Sequence, residues 1–374
     1  MTRETSMALG RLTERAAAIV AGAWPVPPPA AADVERLLGS ADEETDGALG
    51  AAARRARDSG LGPRLVARAL VEISSRCGNG CRYCGLNAGN GRARRYSLSA
   101  DEILESAARA FRAGLRTVVL QSGEDGRDAA ELSEIIRAVK RAGYRADLAD
   151  GARRPAVTLS LGERPEPDYA AWKEAGADRY LMRMETGDRE LYAALHDGRV
   201  LDSRLACHDA LRRLGYQLGS GVLVGLPGQG AASVARDIAA MAGGRYAMLG
   251  IGPFIPHPDT PLGGAAPGDV GLALRATALA RLCSPWSWIP ATTAMASQDR
   301  DYRVDALLYG ANVVMPNFSP AYARGAYAIY PGKRCSAEPD GEQSPERVAD
   351  SLRRLADAAG LAVDLGRADG AWPT

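Results

Sequence analysis

The sequence predicts an α/β protein whose main body is a closed (β/α)8 barrel. Short apolar runs with strand character recur at Leu65–Ile73, Thr117–Gln121, Ala156–Leu161, Arg179–Arg183, Gln217–Val224, Ala247–Ile255, Ser287–Ala291 and Val313–Met315, and helical patterns separate most of them. Alternating β and α segments make a parallel sheet, and eight such strands in ~260 residues fit a closed barrel. The rival, a doubly wound open sheet, usually carries a G-x-G-x-x-G turn after its first strand. Here the first strand runs instead into Cys77-Gly-Asn-Gly-Cys81-Arg-Tyr-Cys84. In a barrel, chemistry sits at the C-terminal ends of the strands, which is where this loop falls.

Taken in order, residues Leu12 to Ser59 read as helices, interrupted at Trp24-Pro-Val-Pro-Pro-Pro29. This leader is expected to pack on the open bottom of the barrel. Ser99-Ala-Asp-Glu102 is a capping box. It opens a helix whose Ile103, Leu104, Ala107, Ala108 and Phe111 share one face and which Gly114 ends. Glu131–Lys140 is a further helix, stopped by Gly143. Asp340–Pro345 is a polar linker, Pro345–Ala359 a closing helix and Gly360–Thr374 a loose tail. The expected division is therefore 1–64 helical leader, 65–334 barrel, and 335–374 linker, helix and tail.

Three of the six cysteines lie within eight residues, spaced C-x3-C-x2-C. Three thiolates on one loop can hold three irons of a cubane 4Fe-4S cluster and leave the fourth iron open. Electron-transfer clusters use four cysteines, so an open iron implies another ligand. A disulfide with one spare cysteine would need an oxidising compartment. Zinc would want a fourth Cys or His nearby, and none occurs between Gly85 and Leu195. Tyr83, just before the last cysteine, completes the pattern of the radical S-adenosylmethionine (radical SAM) enzymes. There the open iron chelates the amino and carboxylate groups of SAM, and the reduced cluster cleaves SAM to methionine and a 5′-deoxyadenosyl radical.

The strand ends carry further polar residues. Gln121-Ser-Gly-Glu-Asp125 is a turn-forming loop or, with Glu124 and the backbone near Gly123, a receiver for the methionyl ammonium of SAM. Arg183 and Glu185 alternate with Met182 and Met184, so both charges face one side. If that side is the lumen, they serve a zwitterionic ligand or form a structural ion pair. Val222-Leu-Val-Gly-Leu-Pro-Gly-Gln229 is either a close approach to adenine or a plain turn. His257, one of three histidines, lies in a Pro-rich loop and has no role assigned from spacing.

The near balance of 46 basic and 45 acidic residues, net +1, argues against a nucleic-acid or membrane-surface partner. No apolar run reaches the ~20 residues of a membrane span. Met1 to Arg15 lacks a signal-peptide core, so a cytoplasmic location is expected, which suits an oxygen-sensitive cluster.

Together Tyr83-Cys84-Gly-Leu86, Val119-Leu-Gln-Ser-Gly-Glu-Asp125, Thr158-Leu-Ser-Leu-Gly-Glu163, Gly176-Ala-Asp-Arg-Tyr-Leu181, Val224-Gly-Leu-Pro-Gly-Gln229, Gly250-Ile-Gly-Pro-Phe-Ile-Pro-His-Pro-Asp-Thr-Pro-Leu262, Ile289-Pro-Ala-Thr-Thr-Ala-Met295, Gly310-Ala-Asn-Val-Val-Met-Pro-Asn317 and Tyr330-Pro-Gly-Lys333 resemble the HydE family of FeFe-hydrogenase maturases. The resemblance runs from about Leu70 to Arg334; methylornithine synthase is a more distant likeness. It implies a radical SAM barrel whose deoxyadenosyl radical attacks sulfur in a cysteine-bound iron complex or a thiazolidine amino acid. Carried over position by position, Cys77, Cys81 and Cys84 hold the cluster. Gln121, Ser122, Glu185, Arg204 and Met248 contact SAM. Arg183, Met184, Thr292, Thr293, Met315, Tyr327 and Tyr330 line the substrate end, with Arg183, Met315 and Tyr327 as the catalytic set. A ferredoxin- or flavodoxin-type electron donor is implied. Cys207 matches a family position without an assigned role.

Three departures stand out. Met184 replaces the His expected in an Arg-His-Glu-Thr motif. Cys335 lacks the two further cysteines of an accessory cluster. Residues 145–154 form a longer connection than expected. Two alternatives follow: a HydE-like enzyme acting on a free amino acid or thiazolidine-like molecule in a pathway without hydrogenase, and an iron–sulfur carrier that binds SAM without cleaving it.

Overall fold

The computed structural model describes residues 1–145, 154–333, 344–370 and 372. Three helices, α1 (Arg3–Val20), α2 (Ala31–Gly39) and α3 (Glu43–Leu61), precede the first strand. Then come β1 (Arg64–Ala67), β2 (Ala69–Ser74), α4 (Ala100–Arg112), β3 (Thr117–Ser122), α5 (Ala129–Arg145), β4 (Ala156–Ser160), α6 (Glu166–Glu174) and β5 (Arg179–Leu181). They are followed by α7 (Arg189–Leu195), α8 (Leu201–Arg213), β6 (Gln217–Val224), α9 (Ala231–Gly243), β7 (Met248–Pro253) and α10 (Val270–Cys283). The chain ends with α11 (Thr293–Ala296), α12 (Arg303–Leu308), β8 (Val313–Val314), α13 (Ala321–Ala326), α14 (Pro345–Ala359) and β9 (Ala362–Asp364).

The strands form the expected closed parallel barrel. β2 to β7 pair in sequence order, and β8 pairs with β1. Isolated bridges Met248↔Trp288 and Pro290↔Val313 supply the seventh strand, and Leu70↔Asn317 completes closure. The segment expected as a strand at Ser287–Ala291 stays this thin because Pro290 has no N–H to donate. The first strand breaks at Arg68, so β1 pairs with β8 and β9 while β2 pairs with β3. The capping box forms as read: Ser99 accepts from Glu102 N, and Glu102 accepts from Ser99 N.

Each strand sends alternate side chains to opposite faces. Val118, Leu120, Val157, Leu159, Tyr180, Leu218, Leu249 and Ile251 pack in the main core between sheet and helices. The opposite set, Val66, Leu181, Met248, Trp288, Val313 and Met315, meets in the lumen as an apolar floor.

Two expectations at the barrel's base change. The leader lies on the flank, with α2 against α9 and α3 against α10. Its apolar stripe showed that one face is buried, not which surface covers it. The base is closed by residues 362–370 of the C-terminal tail, which are tied to the barrel rather than loose. β9 pairs with β1. Beyond it, Arg179 is fully buried, with Nη2 donating to Asp369 Oδ1 (2.7 Å) and to Arg367 O, and Nε donating to Gln217 Oε1 at 3.0 Å. Arg367 Nη2 in turn pairs with Asp178 at 3.0 Å.

Arg179→Ala should destabilise the apoprotein by about 3 kcal/mol, because it strips the tail's acceptors of their buried donor. Urea unfolding under reducing, anaerobic conditions measures it; an unchanged midpoint would mean that the tail does not close the base.

Candidate active site

The cysteine loop begins directly after β2 and is held by its own polar framework. The Arg95 guanidinium donates to the carbonyls of Ser75, Leu86 and Asn87 at 2.8, 2.8 and 2.7 Å. Asn87 Nδ2 donates to Cys84 O at 2.7 Å, and Asn90 Nδ2 to Gly85 O at 2.8 Å. The loop also abuts two other strand ends. Gly78 N donates to Glu124 O and Gly85 N to Ile329 O, both at 2.9 Å. A Cβ at Gly123 would lie 2.4 Å from Arg76 O. A Cβ at Gly85 would lie 2.1 Å from Ala328 O and 2.5 Å from His257 Cδ2. His257, which spacing left without a role, thus packs against the residue after Cys84.

Cys77, Cys81 and Cys84 are free and half-buried. Burial pushes the Cys81 thiol up to about 12 and Cys84 in the same direction, so these thiols keep their protons until a metal displaces them. Among the described residues no three His, Cys, Asp or Glu side chains could share one metal ion. Three free thiols on one loop suit a cluster, in which each thiolate takes its own iron. Beside the loop, the Tyr83 hydroxyl lies 2.9 Å from His196 Nε2, while His196 Nδ1 lies 2.7 Å from Tyr192 O. Only Nδ1–H can satisfy a carbonyl, so Nε2 accepts from Tyr83. Burial lowers His196 to about 4 and keeps it neutral.

Below the loop the lumen gathers many of the residues singled out in the sequence. Gln121 Nε2 donates to the Tyr327 hydroxyl at 3.2 Å. Arg183 bonds Val222 O through Nη2 and lies 3.3 Å from Glu185 Oε2. Met248 and Met315 belong to the apolar floor. Thr292 occupies the N-cap position of α11 without a side-chain capping bond, Thr293 is that helix's first residue, and Tyr330 is half-buried in the loop leading to Lys333. Glu185 sits at φ 64°, an uncommon backbone for a glutamate. Backbone bonds to Gly221 O and from Leu223 N hold it there. Among the buried polar atoms of the described residues that make no hydrogen bond, four belong to this lumen: Thr158 Oγ1, Arg183 Nε, Glu185 Oε2 and Thr292 Oγ1. Leaving such atoms unsatisfied costs about 1–3 kcal/mol each, so they suit a polar ligand. Gly250 adds room beside them: a Cβ there would meet nothing nearer than Arg183 Cδ at 3.6 Å.

Several readings change. Glu124 does not present a free carboxylate to an ammonium. It accepts from Glu163 N at 3.0 Å and faces Arg199 and Arg204 at 3.3 and 3.5 Å. Arg204 is fixed by Glu163 at 2.8 Å and donates to Arg183 O at 2.8 Å, so Glu124 braces an arginine. Ser122 bonds the neighbouring Gly123 carbonyl. Met184 packs in the main core, 4% exposed, on the opposite side of the strand from Arg183 and Glu185. It is therefore a helix-facing residue and not a lumen one, as the alternation of the strand requires. In the Gly225 turn, Gln229 Oε1 accepts from Gly225 N and Leu226 N, and Gly268 lies against Gly225. Cys207 lies in α8 beside Tyr169 of α6, in the outer ring. Cys335 and residues 146–153 lie outside the described residues.

Sequence reasoning missed one pair. Glu72, 2% exposed on β2, meets Lys333 Nζ at 2.5 Å and Asn317 Nδ2 at 2.9 Å, and Lys333 also donates to Tyr327 O at 2.8 Å. A lone charge inside an apolar strand was the available clue.

A Radical SAM superfamily domain matches residues 71–240. The chain is 43% identical over 281 residues to the [FeFe] hydrogenase maturase subunit HydE of Thermotoga maritima, covering 75% of this chain and 78% of that one. The chain belongs to the HydE family of radical SAM enzymes. It is thus an enzyme that uses a 4Fe-4S cluster and SAM. It is also 28% identical over 326 residues to the 3-methylornithine synthase of Methanosarcina barkeri, covering 86% and 87% of the two chains. The crystal structure of methylornithine synthase superposes with a TM-score of 0.74 at 24% identity, over 94% of this chain and 97% of that one, which shows the same fold. Among the described residues of this HydE-family chain no helix is long and apolar enough to cross a membrane.

Gly85→Ala should strip the loop of its cluster, because neither Ala328 O nor the imidazole can withdraw by the distance needed. Iron and sulfide analysis after anaerobic reconstitution measures this. Gly91→Ala, which has open space within 4 Å, is the matched control and should load normally.

Asp237 of α9 accepts from Gly187 N at 2.7 Å, just beyond Glu185, while its Oδ2 has no partner. Burial raises it to about 6. A raised carboxyl pKa means the native state takes up the proton before the unfolded chain does. Stability from this group therefore grows as pH falls from about 7 towards 4, and is absent above. Asp237→Asn should remove that component, seen as a smaller gain in urea midpoint between pH 7.5 and 5 than in the parent. Identical pH slopes would place the charge elsewhere.

Proposed function

We propose that this enzyme performs the HydE reaction: a 5′-deoxyadenosyl radical attacks the sulfur of a cysteine-derived substrate held in the lumen, in the assembly of the FeFe-hydrogenase active site. The observation that carries the proposal is the set of lumen atoms that make no hydrogen bond, Arg183 Nε, Thr158 Oγ1, Thr292 Oγ1 and Glu185 Oε2, the last held only by its 3.3 Å ion pair with Arg183. With them stands the 43% identity to a [FeFe] hydrogenase maturase.

When bound, the reduced cluster supplies the electron that cleaves SAM. The remaining work falls to side chains of this chain. The Arg183 guanidinium and the hydroxyl of Thr292 take a carboxylate, a pairing favoured by charge-assisted hydrogen bonds. Glu185 takes an ammonium or a ribose hydroxyl. Met248, Met315, Leu181 and Trp288 make the floor apolar, which excludes water from the radical's path. Tyr327, fixed by Gln121 and by Lys333 on its carbonyl, forms the wall on the cluster side. Arg204 stays in place between Glu163 and Glu124. Reduction comes from a ferredoxin- or flavodoxin-type donor.

The second reading, a related reaction on a free amino acid or thiazolidine, drew part of its support from Met184. That side chain faces the helices, so it is a weak guide to the substrate. The likeness to 3-methylornithine synthase keeps this reading as an outcome of the test.

Reconstituted enzyme should restore hydrogen evolution when added to apo-hydrogenase and the other maturases in an extract lacking HydE. No restoration, together with consumption of a supplied thiazolidine amino acid, selects the second reading. Cys81→Ala should make no 5′-deoxyadenosine. Arg183→Gln should still cleave SAM slowly and lose about tenfold or more of any substrate-stimulated rate, the effect of one buried charge-assisted contact.

A further inference from the structure

Between Glu72 and Asp101 the chain carries five arginines, Arg76, Arg82, Arg92, Arg94 and Arg95, and no acidic residue or lysine. This is the segment that forms the cysteine loop and its outer strap, in a protein whose net charge is only +1. The five do different things. Arg95 is spent on carbonyls inside the loop. Arg92 reaches Asp259 at 2.8 Å. Arg76, Arg82 and Arg94 are exposed, and no acidic side chain pairs with them among the described residues.

Their positions are fixed relative to the cluster ligands. Arg76 precedes Cys77, and Arg82 follows Cys81. The Arg94 carbonyl accepts from Ser75 Oγ at 2.9 Å, which sets Arg94 beside Arg76. Arg82 N donates to Leu195 O at 2.9 Å, and Leu262 N donates to Arg82 O at 3.2 Å, so its backbone is held between the end of α7 and the loop that follows β7. Two carboxylates border the same rim, Asp197 against Gly80 and Asp259 on Arg92. The balance stays positive. The three cysteines beneath this rim are half-buried, not sealed.

We propose that Arg76, Arg82 and Arg94 form the docking surface for a small acidic one-electron carrier protein, which delivers its electron through the exposed edge of the cysteine loop. The inference rests on the radical SAM assignment, which requires an electron from outside. It goes further in naming where that electron enters and what charge its carrier bears. Unpaired exposed guanidinium groups contribute little to folding. Concentrated around one edge, they raise the encounter rate of an acidic partner and orient it, an effect that salt screens. A carrier docked here has its prosthetic group over the loop and leaves the floor and base of the barrel untouched. No covalent step is involved; one electron passes from the reduced carrier to the oxidised cluster.

The test uses the reconstituted full-length enzyme and an acidic flavodoxin as the probe. Binding is measured by titration calorimetry, and reduction by 5′-deoxyadenosine formation driven either by flavodoxin hydroquinone or by titanium(III) citrate. The parent should bind flavodoxin more weakly as salt rises. Arg76→Glu/Arg94→Glu should weaken binding and slow flavodoxin-driven turnover about tenfold or more, with turnover driven by titanium(III) unchanged. Unchanged flavodoxin binding in that variant, or binding by the parent that is indifferent to salt, overturns the proposal. If the variant also fails with titanium(III), the single Arg94→Gln variant, which is farther from the ligands, decides by its flavodoxin affinity alone. Failure of the parent to cleave SAM with titanium(III) would count against the enzymatic reading, not against the docking surface.

Discussion

A closed barrel admits only every second side chain of each strand to its interior, and the site depends on that constraint. Along β5 and the residues that continue it the rule selects Leu181 and Arg183 for the lumen and sends Tyr180 and Met182 to the helices; the bridge at Glu185, four residues past the strand, carries the pattern on. The result is a graded interior. The tail and Arg179 seal the base, methionines and Trp288 make a dry floor, and a belt of Arg, Glu and Thr lies above. The cysteine loop covers the mouth. A ligand entering from the cluster side meets charge before it meets hydrocarbon, which suits a polar molecule whose reactive end must be kept from water.

Buried charges recur at three levels: Arg179 with Asp369, Arg183 with Glu185, and Lys333 with Glu72. Such pairs seldom raise stability over an apolar replacement, because desolvation offsets their attraction. Their value here is positional. Lys333 ties the segment carrying Tyr327 to the strand that leads into the cysteine loop. Arg204, held by two carboxylates, ties the ends of β3 and β4 to the carbonyl of Arg183. The middle pair differs from the other two, since Arg183 Nε and Glu185 Oε2 keep unspent hydrogen-bonding capacity.

Much of this was legible along the chain. The strand rhythm gave the barrel, the capping box formed at Ser99, and the parity of Arg183 and Glu185 was visible before any coordinates. Parity also bore on Met184, which the carry-over from a family motif assigned to the substrate end. Position in a motif says that a residue neighbours the site, whereas the pleat decides which way it faces. Glu124 was harder. A carboxylate at a strand end suits an ammonium, and only the fold brings in Arg199 and Arg204, some 75 and 80 residues later in the chain, to claim it.

The sequence by itself determined the local chemistry: a three-thiolate loop with an open iron, the polar strand ends and the βα order. These are properties of neighbours in the chain, and spacing encodes them directly. The tertiary structure alone decided which distant groups share a cavity and which are already satisfied by one another. It set Lys333 on Glu72, put His257 against Gly85, closed the base with the tail and laid the leader on the flank. Those outcomes depend on which buried surfaces and charges find complements across the barrel, a competition among all parts of the chain that no local pattern records.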